Sequence, residues 1–388
     1  MVTTPHPSDE NTVSQWTTIA KIVALPFLLS RLWLGIWVYA GHASRPYRQA
    51  VPNGFAGVDN WWLNPWTTYD SQHFLSIARL GYTPETTPFF PLYPLLLRCF
   101  GQSEIAMATG GILLSNAAFL AGLIALYALT RLDYNHQTAK VAVWLLAFFP
   151  TSVIFSAVYS DAIYFALVTT AFWAARTQVW SVAGPCAFLA ALTRNAGAVI
   201  GLALVLEWWN QRRKNQCSSF GALGNALLPL LGLIVVQWYL AQQFGGLPSV
   251  EQHYQYGRTW MPPWQPIFQE ALNIASGNGI DAVTIVNFAM TLAAPALLWW
   301  QRRNVPVSYA ALLLGILFMQ LTLGRVAPPY TNTSARLLST TFPFLQLFAL
   351  AVLPFMQNRL RLVLAGSIYL MVASLFAFLF GQKVFVSG

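Results

Sequence analysis

The chain has 388 residues, of which 56% are hydrophobic, 15% aromatic and only 9% charged, whereas an ordinary soluble domain is roughly a quarter charged. That balance argues against a water-soluble fold. The formal charge of +9 arises from 21 Lys and Arg against 12 Asp and Glu, but the cations form short clusters between apolar stretches instead of one basic face, which argues against nucleic acid as a partner and for membrane topology.

In chain order, Met1 to Trp16 is polar and lacks the basic, apolar and small-residue parts of a signal peptide, so the first span is expected to be retained. Apolar stretches of about 17 to 25 residues follow, each long enough to cross a ~30 Å hydrocarbon core as a helix. They predict one all-α polytopic membrane domain over 1–388, with spans at 18–40, 104–130, 140–157, 161–175, 180–193, 195–210, 219–241, 281–300, 306–324, 338–355 and 362–382, about eleven in all.

With the N-terminus in the cytoplasm, Arg131 and Lys140, Arg176, Arg212, Arg213 and Lys214, Arg302 and Arg303, then Arg359 and Arg361 fall in short inner connections, as the positive-inside rule asks. Parity then requires two short spans broken at Arg194. The outer face receives the long loops 41–103 and 242–280, the turn around Asp161 and the loop 325–337. Eight of the 12 acidic residues lie there: Asp59, Asp70, Glu85, Glu104, Asp161, Glu251, Glu270 and Asp281. A reaction centre has use for such a concentration, and long loops in compact proteins are uncommon unless functional. Cys99, Cys186 and Cys217 show neither CxxC nor CxxH spacing, so neither a disulfide framework nor a zinc site is indicated.

The first outer loop carries Trp61, Trp62 and Trp66, then Asp70-Ser71-Gln72-His73-Phe74 up to Leu80-Gly81. Phe74, Ile77 and Ala78 fall at helical spacing and Gly81 suits a helix end, which predicts an amphipathic helix on the membrane surface. Two compatible roles are open to Asp70: an N-cap accepting backbone N–H bonds, or a general base accepting the proton of an attacking hydroxyl. His73 and Glu85 beside it are candidate substrate contacts. Pro88, Pro91 and Pro94 then impose a rigid aromatic turn through Phe89, Phe90 and Tyr93. That turn either leads into the second span or offers rings, Tyr93 among them, to a sugar or an isoprenoid tail.

Asp161 marks an outer helix start, either as a solvated terminus or as part of a site. Arg194 interrupts an apolar stretch, where a guanidinium is costly unless it meets a partner or a wet cavity, so function is its first reading. Arg31 raises the same question inside the first span, with snorkelling, pairing and function all open. Arg258, Arg325 and Arg336 add cations in the later outer loops. Carboxylate, aromatic turns and arginines together suit a phosphate-bearing lipid substrate, because arginine binds phosphate oxygens bidentately and a leaving phosphate needs nearby positive charge.

The strings Tyr69-Asp70-Ser71, His73-Phe74, Ile77-Ala78 and Gly81-Tyr82, then Phe89-Phe90-Pro91, resemble the first motif of the PIG-V family of mannosyltransferases. Phe149-Pro150-Thr151 with Tyr159-Ser160-Asp161, and Leu192-Thr193-Arg194-Asn195-Ala196-Gly197, resemble its second and third. Tyr69 stands where that family usually has Trp, and Asp161 where it more often has Glu. The resemblance implies a GT-C fold, a polyprenyl-phosphate sugar donor, a glycolipid or glycan acceptor, inversion at the anomeric carbon and an essential carboxylate at Asp70. The apolar setting of Arg194 and the resemblance together assign it to the donor phosphate, with Asp161, just before the neighbouring span, as the rival partner. No DxD pattern implies a metal, and no nucleotide-sugar fingerprint is present.

The competing reading is a transporter or flippase of lipid-linked glycans, which would use the same cations and rings, although such proteins usually show repeated halves and a midplane site. A non-catalytic homologue is the third. Compact size and short loops fit a bacterial plasma membrane with the active side facing the periplasm; in a eukaryote it would be the ER membrane.

Overall fold

The computed structural model describes residues 9–45, 57–216, 219–278, 281–331 and 333–384. Cys217, most of the polar N-terminus and the 46–56 stretch of the first long loop lie outside the described residues. A long helix α1 (Asp9–Ala43) is followed by the short α2 (Asp70–Leu80) and α3 (Leu92–Arg98). A bundle then runs through α4 (Glu104–Asp133), α5 (His136–Ala147), α6 (Asp161–Arg176), α7 (Trp180–Ala191), α8 (Gly197–Arg213) and α9 (Phe220–Phe244). The second long loop holds α10 (Pro248–Gln255), β1 (Arg258–Trp260) and α11 (Trp264–Ala275). The chain continues as α12 (Ala282–Gln301), α13 (Val307–Thr322), β2 (Leu323–Arg325), α14 (Ser334–Ser339), α15 (Phe342–Val352) and α16 (Arg359–Gly381).

Among the described residues, five helices have the length and composition of membrane spans: Trp16–Ala43 within α1, α4, α9, α12 and α16. Shorter apolar helices are α7, α13 and Phe342–Gln357. Leu28 and Leu32 on α1, Ile234 and Trp238 on α9, and Ile368 and Met371 on α16 face outward, a belt too apolar for a water-facing surface. The chain is an integral membrane protein. Its interior is tightly packed: Phe119 stacks on Phe155 at 4.5 Å, and a Cβ at Gly122 of α4 would come within 2.6 Å of the Phe165 ring of α6.

Three expectations need correction. The span predicted at 140–157 stops at Ala147, and the chain folds back through a 3-10 turn at Ser152–Phe155, because Pro150 offers no N–H and disfavours helix at Phe149. The helix predicted to lie on the membrane, α2, instead buries Phe74, Leu75 and Ala78 in a cluster with Tyr93, Leu97, Met107 and Val158. Outward apolar residues belong to α11, where Trp264, Phe268 and Leu272 are exposed at helical spacing while Glu270 is buried. Finally, the fold is not purely helical: β1 and β2 pair antiparallel, with Arg258 opposite Arg325 and Trp260 opposite Leu323.

The break at Arg194 is present, since α7 ends at Ala191 and α8 begins at Gly197. It makes α4, α6 and α8 run in the same sense. Their C-terminal ends are tied by Arg176, which meets Asp133 at 3.1 Å and Glu207 at 3.2 Å. Tyr309 donates to Asp133 at 2.7 Å and Ser308 to Glu207 at 2.6 Å. Asp161 stands at the other end of α6, about 22 Å away at 1.5 Å per residue. Arg31 is answered here too: it donates to the Ala147 and Ser152 carbonyls at 3.0 and 2.9 Å and to the Ser152 and Ser156 hydroxyls at 2.6 and 3.0 Å. It also lies 4.6 Å from the Phe119 ring. It thereby clamps the fold-back that leads to Asp161.

Candidate active site

Asp70 is the first residue of α2, and the N-cap position belongs to Tyr69. Its carboxylate is therefore turned to a side-chain partner, Arg336, at 2.7 Å from Oδ2. The turn that aims it is held from several directions. Tyr69 adopts φ 54°, a left-handed conformation that costs a non-glycine residue on the order of 1–3 kcal/mol, and its hydroxyl donates to the Lys383 carbonyl. Gln72 donates to the Thr67 carbonyl at 2.6 Å, Ser71 to that of Trp66 at 3.2 Å and Tyr159 to that of Thr68 at 3.3 Å. At the far end α2 stops at Gly81, whose φ of 89° suits glycine.

Behind Asp70 lies a buried ionic cluster. Asp161, fully buried at the start of α6, receives Arg194 at 2.6 Å on Oδ1 and Arg336 at 3.0 and 2.8 Å on both oxygens. Arg336 thus bridges Asp161 and Asp70 and lies 4.8 Å from the Tyr159 ring; Arg194 lies 5.5 Å from that of Tyr164. Burial pulls Arg336 down, but Asp161 and Asp70 outweigh it and hold the guanidinium well above its ordinary range. Helix α14 is fixed in turn: the Ala335 N–H donates to Asn287 at 2.9 Å, and Ser334 bonds Thr291 at 2.6 Å and Gln320 at 2.9 Å.

Two carboxylates and two guanidiniums make this cluster formally neutral, and its members differ in access. The side chains of Asp161 and Arg336 are 0% and 8% exposed, whereas that of Asp70 is 25% exposed. Asp70 is the more accessible of the two carboxylates.

Around it stand other sequence candidates. His73 stacks on Phe89 with centroids 4.3 Å apart; burial holds its imidazole below the ordinary range against the opposing pull of Asp70. The Glu85 carboxylate is exposed, and its main-chain carbonyl accepts from the Tyr256 hydroxyl at 2.9 Å. Arg258 is half-buried on β1 opposite Arg325. Tyr93 is not at an open aromatic turn as the sequence reading expected: it is fully buried and bonded to Ser115 at 2.9 Å, packed between α2 and α4. The sequence reads Tyr159 only as part of a motif and Arg325 only as one more outer-loop cation, neither with a role in the site. An aromatic two residues before Asp161 was the available signal for the first, while a three-residue strand left none for the pairing of the second.

The family model for mannosyltransferases of the PIG-V type matches residues 19–205. Over those residues, a little under half of its length, the chain is similar to the PIG-V mannosyltransferase family. The GPI mannosyltransferase 2 of Drosophila pseudoobscura pseudoobscura is 31% identical over 128 residues, which are 30% of this chain and 26% of that protein. The chain thus aligns with about a quarter of this curated relative. Among solved structures, the oligosaccharyltransferase of Archaeoglobus fulgidus tethered with an acceptor peptide is 14% identical with a TM-score of 0.48, covering 95% of this chain and 55% of that one. The archaeal oligosaccharyltransferase from the same organism, in complex with an inhibitory peptide and a dolichol-phosphate, is 13% identical with a TM-score of 0.46, covering 93% and 56%. The PIG-V match takes in Asp70, Asp161 and Arg194 and ends before Arg258, Arg325 and Arg336.

Proposed function

We propose that this chain is a membrane glycosyltransferase of the PIG-V type that moves a sugar, mannose by that likeness, from a polyprenyl-phosphate donor to a glycolipid or glycan acceptor. The observation that carries this reading is the reachable Asp70 carboxylate at the mouth of an otherwise closed ionic cluster. Arg336 occupies Oδ2, and Oδ1 has no partner among the described residues. Oδ1 accepts the proton of the acceptor hydroxyl as that oxygen attacks the anomeric carbon. The bond from that carbon to the phosphate oxygen breaks, its electron pair leaves with polyprenyl phosphate, and one displacement inverts the centre. The proton is then lost from Asp70 to water.

Asp161 and Arg194 act behind the reacting atoms as positioning residues, since Arg194 is spent on Asp161, and Asp161 on Arg194 and Arg336. The eleven crossings of this reading are the five long helices, the three shorter apolar ones and α5, α6 and α8, with the Asp70 end on the non-cytoplasmic side. The basic residues flanking the Asp133–Arg176–Glu207 end support that orientation.

A carrier of lipid-linked glycan is the alternative. Polar side chains are not confined to one end, since the Asp133 network is also ionic, but Asp133 and Glu207 are only 3% and 0% exposed. Its carboxylates are closed off, and the group that reaches the surface there is the Arg176 guanidinium, 26% exposed, which cannot act as a base. Comparing glycans of the native host with and without this gene tests the function: loss of one hexose with build-up of the truncated acceptor is expected. Unchanged glycan masses with altered leaflet distribution would favour the carrier.

A further inference from the structure

The donor of the proposed reaction is an anion on an apolar chain, so the inference here rests on that reading and asks which residues receive its phosphate. Arg194 and Arg336 are already matched by Asp161 and Asp70. Arg258 and Arg325 are different. They face each other across the β1–β2 ladder, and neither makes a salt bridge or side-chain hydrogen bond to a described residue. Like charges directly opposite in a ladder destabilise it, and half-burial removes hydration that would relieve them. Burial and then Arg325 hold Arg258 below its ordinary range, with Asp70 pulling the other way and Arg336 adding to the depression; Arg258 therefore lies within electrostatic reach of the Asp70 cluster. Glu270 opposes the depression of Arg325, but it is buried and committed to the Thr331 N–H at 2.9 Å.

Strand geometry supplies the second half of the argument. Side chains two apart share a face, so Arg258 and Arg325 share theirs with the next pair, Trp260 and Leu323, about 6.6 Å further along. The opposite face is closed against protein: a Cβ at Gly324 would come within 2.5 Å of the Met261 sulfur and 2.9 Å of Pro266. The open face is thus amphiphilic, with two guanidiniums at one end and at the other an indole that is 55% exposed. The exposed Trp264 and Phe268 of α11 continue the apolar surface in the same segment.

We propose that this ladder face is the donor's docking site, where Arg258 and Arg325 bind the lipid-phosphate oxygens and Trp260 with Leu323 receives the first isoprenoid units. Two cations added to a neutral cluster give the surplus charge that a phosphodiester donor and a departing phosphate monoester both need.

The test uses the full chain in phosphatidylcholine nanodiscs and measures affinity for phytanyl phosphate, an isoprenoid phosphate, with inorganic phosphate and phosphatidylglycerol as competitors. Arg258→Gln/Arg325→Gln should weaken phytanyl phosphate at least about tenfold, the fold-change of one lost charge-assisted contact. Trp260→Ser should weaken it while leaving inorganic phosphate unaffected. Because the substitution removes a like-charge pair, the ligand-free double variant should melt no lower than the wild type, which separates a lost site from a lost fold. Unchanged phytanyl phosphate affinity in the double variant, or equally strong competition by phosphatidylglycerol, would overturn the docking site alone. No binding of phytanyl phosphate by the wild type would overturn the functional reading with it.

Discussion

Asp70→Asn is expected to lower the transfer rate by about 10²–10⁴, the usual contribution of a general base, with little change in stability. The amide keeps the shape of the carboxylate and can still accept from Arg336, while Asp161 continues to bind that arginine through both oxygens. What holds α2 is the burial of Phe74, Leu75 and Ala78, which the substitution does not touch. Asp70→Glu keeps the basicity but moves the oxygen by one methylene, and misplacement of about 1 Å can itself cost about 10²-fold. Both variants therefore lose rate, and only the Glu variant keeps a titratable base. Initial rates and thermal midpoints on the same preparations check this. Turnover of the Asn variant within tenfold of wild type would reduce Asp70 to an anchor for Arg336.

The largest stability effects are expected behind it. Removing one member of a buried ion pair strands the other charge and costs about 3–5 kcal/mol. Arg194→Gln should therefore lower the melting temperature sharply, because Asp161 is left with Arg336 as its single cation. Donor KM should change little, since Arg194 is committed to Asp161 at 2.6 Å. Arg194→Lys restores charge without the guanidinium fork and should recover only part of the stability. The Asp161→Asn/Arg194→Gln pair should cost less than the two single changes summed, the mark of direct coupling. Weakened donor affinity at unchanged stability would instead return Arg194 to the phosphate, the role that its apolar setting and the family resemblance gave it.

Residues 70–80 were legible as a helix because Phe74, Ile77 and Ala78 keep its period, but that period is the same whether the apolar face meets lipid or protein. Only tertiary packing against Tyr93 and Leu97 decides the matter. The break at Arg194 followed from counting basic loops, and it correctly placed Asp70, Asp161, Arg194 and Arg336 at one end. Which cation meets which carboxylate was not legible, because partners such as Asp161 and Arg336 are separated by 175 positions. Tyr93 looked interfacial through its prolines, yet the turn tucks its ring inward. The ladder escaped because three residues on each strand show no alternation beyond chance. Asp133 and Glu207 were passed over since each lies near ordinary basic loops, and their shared Arg176 emerges only when three helix ends converge.

The most direct test of the account is cleavage of the donor itself. Purified protein in proteoliposomes would receive polyprenyl-phosphate mannose labelled in both sugar and phosphate, together with glycans extracted from the host. The account predicts that wild-type protein releases unglycosylated polyprenyl phosphate in step with labelled glycan, and that Asp70→Asn does neither. Intact donor moved to the other leaflet, with no free polyprenyl phosphate and no labelled glycan, would contradict it and identify a carrier.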